Sequence, residues 1–111
     1  MTTVTQVQLV APSALSTADS AVYTAPIQTT VKIGRAVFCN TSTAANNITA
    51  GITTGAGLSA PTTLIEARPI AAGETYVSPE LAGAVLPAGS QIHAYAAGVT
   101  VSFTASGLTI V

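Results

Sequence analysis

The stretch VYTAPIQTTVKIGRAVFCN, residues 22–40, decides the fold of this chain. It opens with a short β-favouring run that ends at Pro26, a residue that cannot donate a ladder hydrogen bond and so belongs at an edge or a corner of a sheet. The next run alternates, with Val31 and Ile33 on one face and polar residues between and before them. The pattern predicts a chain that leaves one sheet edge, turns at the proline and enters the longest strand of a β-sandwich.

The alternation is interrupted at Gly34-Arg35. A β-bulge at this point would return Val37 or Phe38 to the core face, because the extra residue shifts the alternation by one position. We expect the rest of the chain to pack against this long, bulged strand.

Further short segments of strand character recur at intervals of about 8–12 residues, separated by turn residues. They cover residues 3–10, 48–52, 63–70, 74–77, 91–96, 99–104 and 108–111. The segment at 48–52 is expected to form a hairpin with the long strand, and a turn is expected at Ser106-Gly107. Residues 11–20, 53–61 and 78–88 are predicted to be loops, the last with an apolar lining of Leu81, Val85 and Leu86.

No segment has the three- and four-residue apolar spacing of a helix over ten or more residues. The predicted fold is therefore all-β: a single-domain β-sandwich, a jelly-roll-like Greek key of about eight short strands. Residues 1–20 are predicted to form an N-terminal strand and arm, and residues 21–111 the sandwich, within one globular domain. The inward positions of the strongest strands predict one shared core. Its members are Val31, Ile33, Ile92, Val101 and Phe103.

The composition is 49% hydrophobic and only 6% charged, with a formal net charge of −1. An average domain carries about 25% charged residues, and soluble monomers usually carry a larger net charge. We therefore expect a homo-oligomer or an assembly with other chains. There is no basic run to bind nucleic acid or anionic lipid, no stretch of about 20 apolar residues to span a membrane, and no signal peptide is expected. A single cysteine excludes an internal disulfide and is typical of a reducing cytoplasm.

Several motifs resemble those of small jelly-roll-like structural proteins of tailed bacteriophages. They are VYTAP at 22–26, T-x-V-x-I at 29–33, CNTS at 39–42, IAAGET at 70–75, L-x-A-G-S-x-I-x-A at 86–94 and SGLTI at 106–110. Proteins of this kind occur as capsid cement (decoration) proteins and as domains of tails or fibres. The Gly- and Ala-rich segment 51–61 and the N-terminal residues 1–20 depart from the pattern.

The resemblance implies a structural virion protein, made in the host bacterial cytoplasm, with a major capsid protein or another virion protein as its partner. The first expectation is a capsid cement protein that binds across subunit joints and stabilises the shell. The alternatives are a tail, fibre or baseplate component and, from another class, a carbohydrate-binding module. The absence of tryptophan counts against the last, because such modules present exposed planar aromatic side chains.

No catalytic, cofactor or metal site is expected. His93 is the only histidine, whereas a metal centre on a jelly roll needs two or three with a carboxylate. It is predicted to lie at the surface or an interface, beside Tyr95. Cys39 ends an apolar strand far in sequence from that histidine, which favours a buried hydrophobic role over a nucleophile. Glu66 and Glu74 could form a glycosidase pair only in an aromatic-lined cleft, which five aromatic residues hardly supply.

The candidate interface residues come from the segments that depart from the family pattern and from the few ions. They are Val4, Val7, Leu9, Leu58, Glu66 and Arg68. Residues 1–20 and 53–61 hold one charge, Asp19, so they can be desolvated without burying an unpaired ion. If the first strand lies at a sheet edge, a neighbour's sheet can satisfy its backbone groups. The other reading is that Val7 and Leu9 complete the domain's own sandwich. Glu66 and Arg68, two residues apart on one strand, are expected to share a face, where they can pair or bridge to another subunit.

Overall fold

Two antiparallel sheets make up the computed structural model, which describes residues 3–55, 57–59, 62–97 and 101–111. The strands within these ranges are β1 (Val4–Ala14), β2 (Ala21–Thr24), β3 (Thr30–Asn40), β4 (Asn46–Thr53), β5 (Thr63–Ile70), β6 (Thr75–Val77), β7 (Val85–Leu86), β8 (Gln91–Ala96) and β9 (Val101–Ile110). No helix occurs in this part of the chain. The all-β prediction is therefore confirmed.

The strand order is that of a jelly roll. The first sheet has the order β1-β9-β3-β6, with the short β7 also paired to β3, and the second sheet has the order β2-β8-β4-β5. The chain thus passes from sheet to sheet as it winds, and its last strand returns to lie between the first and the third. This is the double Greek key of the jelly roll, and it confirms the predicted architecture.

The core lies between the two sheets and contains the five residues predicted for it. Val31, Ile33, Ile92 and Val101 are fully buried, and Phe103 is 1% exposed. The ring of Phe103 lies on β9 with its centroid 4.7 Å from that of Phe38, its direct partner on β3. Aromatic contact between the two central strands of the first sheet therefore anchors the core.

The bulge in the long strand occurs where the sequence predicts it. The register of β3 against β9 shifts between Ile33 and Arg35, so that Gly34 is the extra residue. Beyond the shift Phe38 is buried and Val37 is half-buried on the outer side. The bulge thus returns the larger of the two candidate side chains to the core.

The predicted hairpin between the long strand and residues 48–52 is wrong. β3 belongs to the first sheet and β4 to the second, so the connection between them crosses from sheet to sheet. Asn40, fully buried at the end of β3, holds this corner. Its side-chain amide donates to the carbonyl oxygens of Ala44 and Ile70, at 2.9 and 3.0 Å, and its Oδ1 accepts from Ser42. The turn-forming residues at 40–47 predict a connection there, but they do not reveal to which sheet the next strand belongs.

The predicted turn at Ser106-Gly107 is also wrong, because β9 continues without a break to Ile110. Gly107 lies opposite Ile33, next to the bulge of β3. A Cβ atom there would lie 2.1 Å from the carbonyl oxygen of Lys32. Glycine at this position permits the close approach of two central strands rather than a change of direction. Val99 and Thr100, predicted to begin this strand, lie outside the described residues.

The N-terminal strand is longer than predicted. β1 extends to Ala14, so the prediction of a loop is wrong for residues 11–14, and its register against β9 shifts on both sides of Val10. Leu9 and Val10 enter the core together. The loop predicted at 78–88 contains β7, and Val85, predicted to line it, is instead 52% exposed, whereas Leu81 and Leu86 are fully buried.

Candidate interface surfaces

The six predicted interface residues do not form one surface. Val4 is 57% exposed at the start of β1, while Val7 is half-buried and Leu9 belongs to the core. Leu58 is half-buried in the connection between β4 and β5, and Glu66 and Arg68 are exposed on β5. Val7 and Leu9 therefore serve the domain's own packing, and the exposed members lie on separate sides of the sandwich.

The prediction that Glu66 and Arg68 share a face, where they could pair, is wrong. The register between β4 and β5 shifts around Ala67, which has a φ of 46°, so the alternation of β5 changes phase between the two charges. Arg68 lies opposite the fully buried Ile48 and therefore on the inner side of the sheet, whereas Glu66 follows the buried Ile65 and faces outward. A bulge has separated two side chains that simple alternation would place together.

Arg68 instead connects the two sheets, through a contact between β5 and β6. Its guanidinium carbon lies 4.1 Å from the ring centroid of Tyr76 on β6, across the gap between the two sheets. The Tyr76 hydroxyl donates to Oε1 of Glu80 at 2.5 Å. Burial, and then this hydrogen bond, raise the pKa of the tyrosine, and the same bond lowers the pKa of Glu80. We assign this cluster to the cohesion of the fold, since each member contacts another.

His93 is buried, so the prediction of a surface histidine is wrong. Its side chain is 9% exposed, with Nδ1 2.8 Å from Oδ1 of Asp19 and Nε2 2.8 Å from Oε1 of Gln91. The second carboxylate oxygen of Asp19 accepts the backbone N–H of Leu58 at 2.8 Å, and this bond above all lowers the pKa of Asp19. Asp19, in the β1–β2 connection, thus binds both His93 on β8 and the β4–β5 connection at Leu58, on the outer side of the second sheet. That part of the second sheet is covered by the chain itself.

Among the described residues, none covers the outer face of the first sheet. We use this name for the outward side chains of β1, β9, β3, β6 and β7. They are Val4, Gln6, Gln8, Ser102, Thr104, Ser106, Leu108, Ile110, Thr30, Lys32, Arg35, Val37, Cys39, Thr75, Val77 and Val85. The strand registers place Gln6, Leu108, Lys32 and Val85 in one row across the sheet.

The middle of this face contains a shallow depression of about 520 Å³. Its lining is Gln6, Lys32, Gly34, Ser106, Gly107 and Leu108. A second depression of about 230 Å³ continues along the sheet past Arg35 and Val37. The hollow follows from the bulge, since Gly34, the extra residue, has no side chain to fill it. Three exposed valines lie on the same face: Val4 on β1, Val85 opposite Lys32, and Val77 opposite Val37 at the second depression.

The charges are divided unequally between the sides of the molecule. Lys32 and Arg35, two of the three basic residues, lie on the outer face of the first sheet. Within the described residues, no acidic side chain shares that face. Asp19 and Glu66 lie with the second sheet, while Glu74 and Glu80 flank β6 in the connections on either side of it. The face is thus apolar and cationic, which suits a partner surface with apolar groups and carboxylates.

Sequence reasoning missed this face, although part of the signal was available. The outward position of Lys32 follows from the alternation around Val31 and Ile33. The outward position of Arg35 could not be predicted, because the bulge shifts the alternation before it. The outward positions of Leu108 and Ile110 were missed because a turn was predicted at Gly107. Only the register of three adjacent strands brings these residues together.

No cluster of three or more His, Cys, Asp or Glu side chains suited to a metal occurs within the ranges that the structure describes. Cys39 is half-buried, and its Sγ accepts the hydroxyl of Thr75 at 3.6 Å. Among the described residues, no helix is long and apolar enough to cross a membrane.

Comparison with known proteins finds a likeness in fold only. No protein-family model matches the chain, and no curated protein matches it. Among solved structures, that of the infectious bursal disease virus Gx strain matches 99% of this chain with 16% identity and a TM-score of 0.54. The VP2 subviral particle of infectious bursal disease virus matches 98% of the chain, with 14% identity and a TM-score of 0.56. The T13 viral particle of the same virus also matches 98%, with 14% identity and a TM-score of 0.55.

The chain spans about a third of the length of these proteins, since the matches cover 32%, 32% and 30% of the solved chains. At such low identity the likeness shows the fold alone. The expected resemblance to jelly-roll-like structural proteins of tailed bacteriophages is confirmed for the fold only, because these neighbours come from infectious bursal disease virus and are not proteins of tailed bacteriophages.

Proposed function

We propose that this chain is a structural protein of a virion and that it binds other virion proteins through the outer face of the first sheet. In its most specific form, the proposal is a capsid cement protein of a tailed bacteriophage, with the major capsid protein as partner. The observation that carries it is the open face itself, which combines exposed valines, a hollow of about 520 Å³ and two cations without an acid.

The fold supports this role by analogy. The solved structures with the same architecture are those of a virus and its particles, although they share only 14–16% sequence identity with this chain. The jelly-roll fold occurs with many functions, so the function of this chain depends on its surface and not on its topology. With 6% charged residues, the chain has few ions to desolvate when a partner covers it.

The proposed mechanism is selective binding to the assembled shell. A protein that binds the assembled state but not the free subunits stabilises assembly by mass action, by about 2.7 kcal/mol per site when its free concentration is 100 times the dissociation constant. Many symmetric copies add such contributions across the particle. The proposed role requires no catalytic step.

The test is co-sedimentation of the purified chain with particles that lack it. Replacing Lys32 and Arg35 with glutamine should weaken binding and flatten its dependence on salt, because an exposed charge contact is screened by added ions. Thr43→Glu with Ala45→Glu is the matched control: both residues are exposed in the β3–β4 connection, and the pair lowers the net charge by the same two units.

Equal binding of the glutamine variant and the control would refute the assigned face. Binding of the wild-type chain to isolated tails and not to capsids would replace the cement role with that of a tail, fibre or baseplate component. Failure to bind any virion part would refute the proposed function as a whole.

A further inference from the structure

Within the part of the chain that the structure describes, β1 pairs with β9 alone, and its other, free edge differs from the remaining sheet edges of this fold. β2 has four residues, and β6 and β7 have three and two, so each offers too short a template for pairing. β5 has eight residues but contains Pro69, the bulge at Ala67 and the charges of Glu66 and Arg68. Short strands, bulges, prolines and charges are the means by which sheets keep their edges from pairing with other chains. β1 has 11 residues and no charge, and its proline comes only at position 12.

The first half of β1 is also regular. From Val4 to Gln8 each residue pairs in sequence with β9, and the register shifts only beyond Gln8. Reciprocal backbone hydrogen bonds of 2.9 Å join Thr3 and Val111, so Thr3 is a hydrogen-bonded position of this ladder. In an antiparallel pair such positions alternate with positions whose backbone groups point away from the partner strand. The N–H and C=O groups of Val4, Gln6 and Gln8 therefore point to the free edge.

We propose that a second copy of this chain pairs with this edge, β1 against β1, to form one continuous sheet across a two-fold axis at Gln6. In that register Gln6 lies opposite Gln6 of the other copy, and Val4 lies opposite Gln8. The six outward backbone groups of each strand are then satisfied by six interchain hydrogen bonds. The strand is its own complement, because its exposed segment has no charge to repel a copy and no proline to interrupt pairing.

The geometry also determines what the dimer presents. Strands that pair edge to edge keep their faces on the same sides of the sheet, and the side chains of Val4, Gln6 and Gln8 lie on the outer face of the first sheet. The outer faces of two copies would then form one surface, with a cationic depression on each side of the joint. The dimer does not depend on the virion role, and a failure of particle binding leaves it intact.

Sedimentation equilibrium of the full chain tests the oligomer. The expected mass is twice the 11.0 kDa of the chain, reached with increasing concentration. Gln6→Pro removes an outward N–H and no bond to β9, so it should fold and yet dissociate, with a dissociation constant raised by about tenfold or more. Gln6→Lys should do the same, by placing like charges opposite each other. A far-UV circular dichroism spectrum like that of the wild type confirms folding.

Disulfide trapping tests the register. In a Cys39→Ser background, Gln6→Cys should cross-link to a dimer under mild oxidation, since opposed residues of a hydrogen-bonded pair lie about 5.5 Å apart, within disulfide reach. Ser106→Cys is the matched control on the same exposed face. Its distance from its counterpart, three strand spacings of about 4.8 Å each, is too long for a disulfide.

A wild-type chain that remains monomeric at high concentration would overturn the proposal. So would a dimer that survives both Gln6→Pro and Gln6→Lys, a trimer or larger closed ring, or cross-linking through Ser106→Cys in place of Gln6→Cys.

Discussion

Replacing Phe103 with alanine should remove a large part of the stability of this domain. The side chain is 1% exposed at the centre of β9, between β1 and β3, and its ring contacts that of Phe38. Truncation of a buried phenylalanine costs about 3–5 kcal/mol through lost transfer energy and the cavity that remains. The loss of the ring pair, about 0.5–1.5 kcal/mol, belongs within that range. We expect about 4 kcal/mol, against a total of about 5–15 kcal/mol for a typical domain.

The measurement is equilibrium unfolding in urea at one fixed protein concentration, because dimer formation would add to the apparent stability. The midpoint should fall while the slope with denaturant stays the same. Ser106→Ala, on the outward side of the same strand, is the control and should change the free energy of unfolding by less than about 0.5 kcal/mol. A loss below about 1 kcal/mol for Phe103→Ala would mean that β9 is out of register by one residue, with the opposite set of side chains in the core.

Further predictions concern single residues. Gly107→Ala should destabilise the fold by about 1–3 kcal/mol in the same assay, because the new Cβ would meet the Lys32 carbonyl oxygen. Gly34→Ala should cost less, because its Cβ would lie 3.5 Å from its nearest neighbour, the Ser106 carbonyl oxygen. Equal losses in the two variants would contradict the close approach of β9 to β3 at Gly107. The lowered pKa of Asp19 favours the native state above the ordinary value of 3.8, and this contribution disappears as the pH falls through the native pKa. Asp19→Asn should therefore reduce the loss of unfolding free energy as the pH falls. An unchanged pH dependence would exclude the contacts of the Asp19 carboxylate with His93 and Leu58. Tyr76→Phe should raise the pKa of Glu80 back towards its ordinary range, as followed by carbon-13 chemical shifts. An unchanged pKa would exclude the hydrogen bond between Tyr76 and Glu80.

The sequence predicts the fold class because two-residue periodicity is a direct consequence of strand geometry. Segments of clean alternation in the described ranges, such as 30–33 and 91–96, are strands in the structure. The bulge at Gly34 was also predictable, because it breaks an otherwise regular pattern at a glycine. The core residues then follow from the inward positions of those strands.

Strand partners and outer faces could not be predicted in the same way. Nothing local distinguishes a turn that forms a hairpin from one that crosses to the other sheet, and Asn40 holds the crossing through a bond to Ile70, 30 residues away. A glycine between two strands reads as a turn, although Gly107 is required by the approach of β3. The burial of His93 depends on Asp19, 74 residues distant, which no periodicity reveals.

The virion role is tested most directly by a reconstruction of the purified particle from cryo-electron microscopy. We predict density for the nine strands on the assembled particle. Lys32, Arg35 and the exposed valines of the outer face of the first sheet should be turned towards the neighbouring virion protein. Density on the capsid surface across subunit joints would support the cement role specifically. Purified particles that contain no copy of this chain, or copies whose outer face of the first sheet is turned to solvent throughout, would contradict the proposed function.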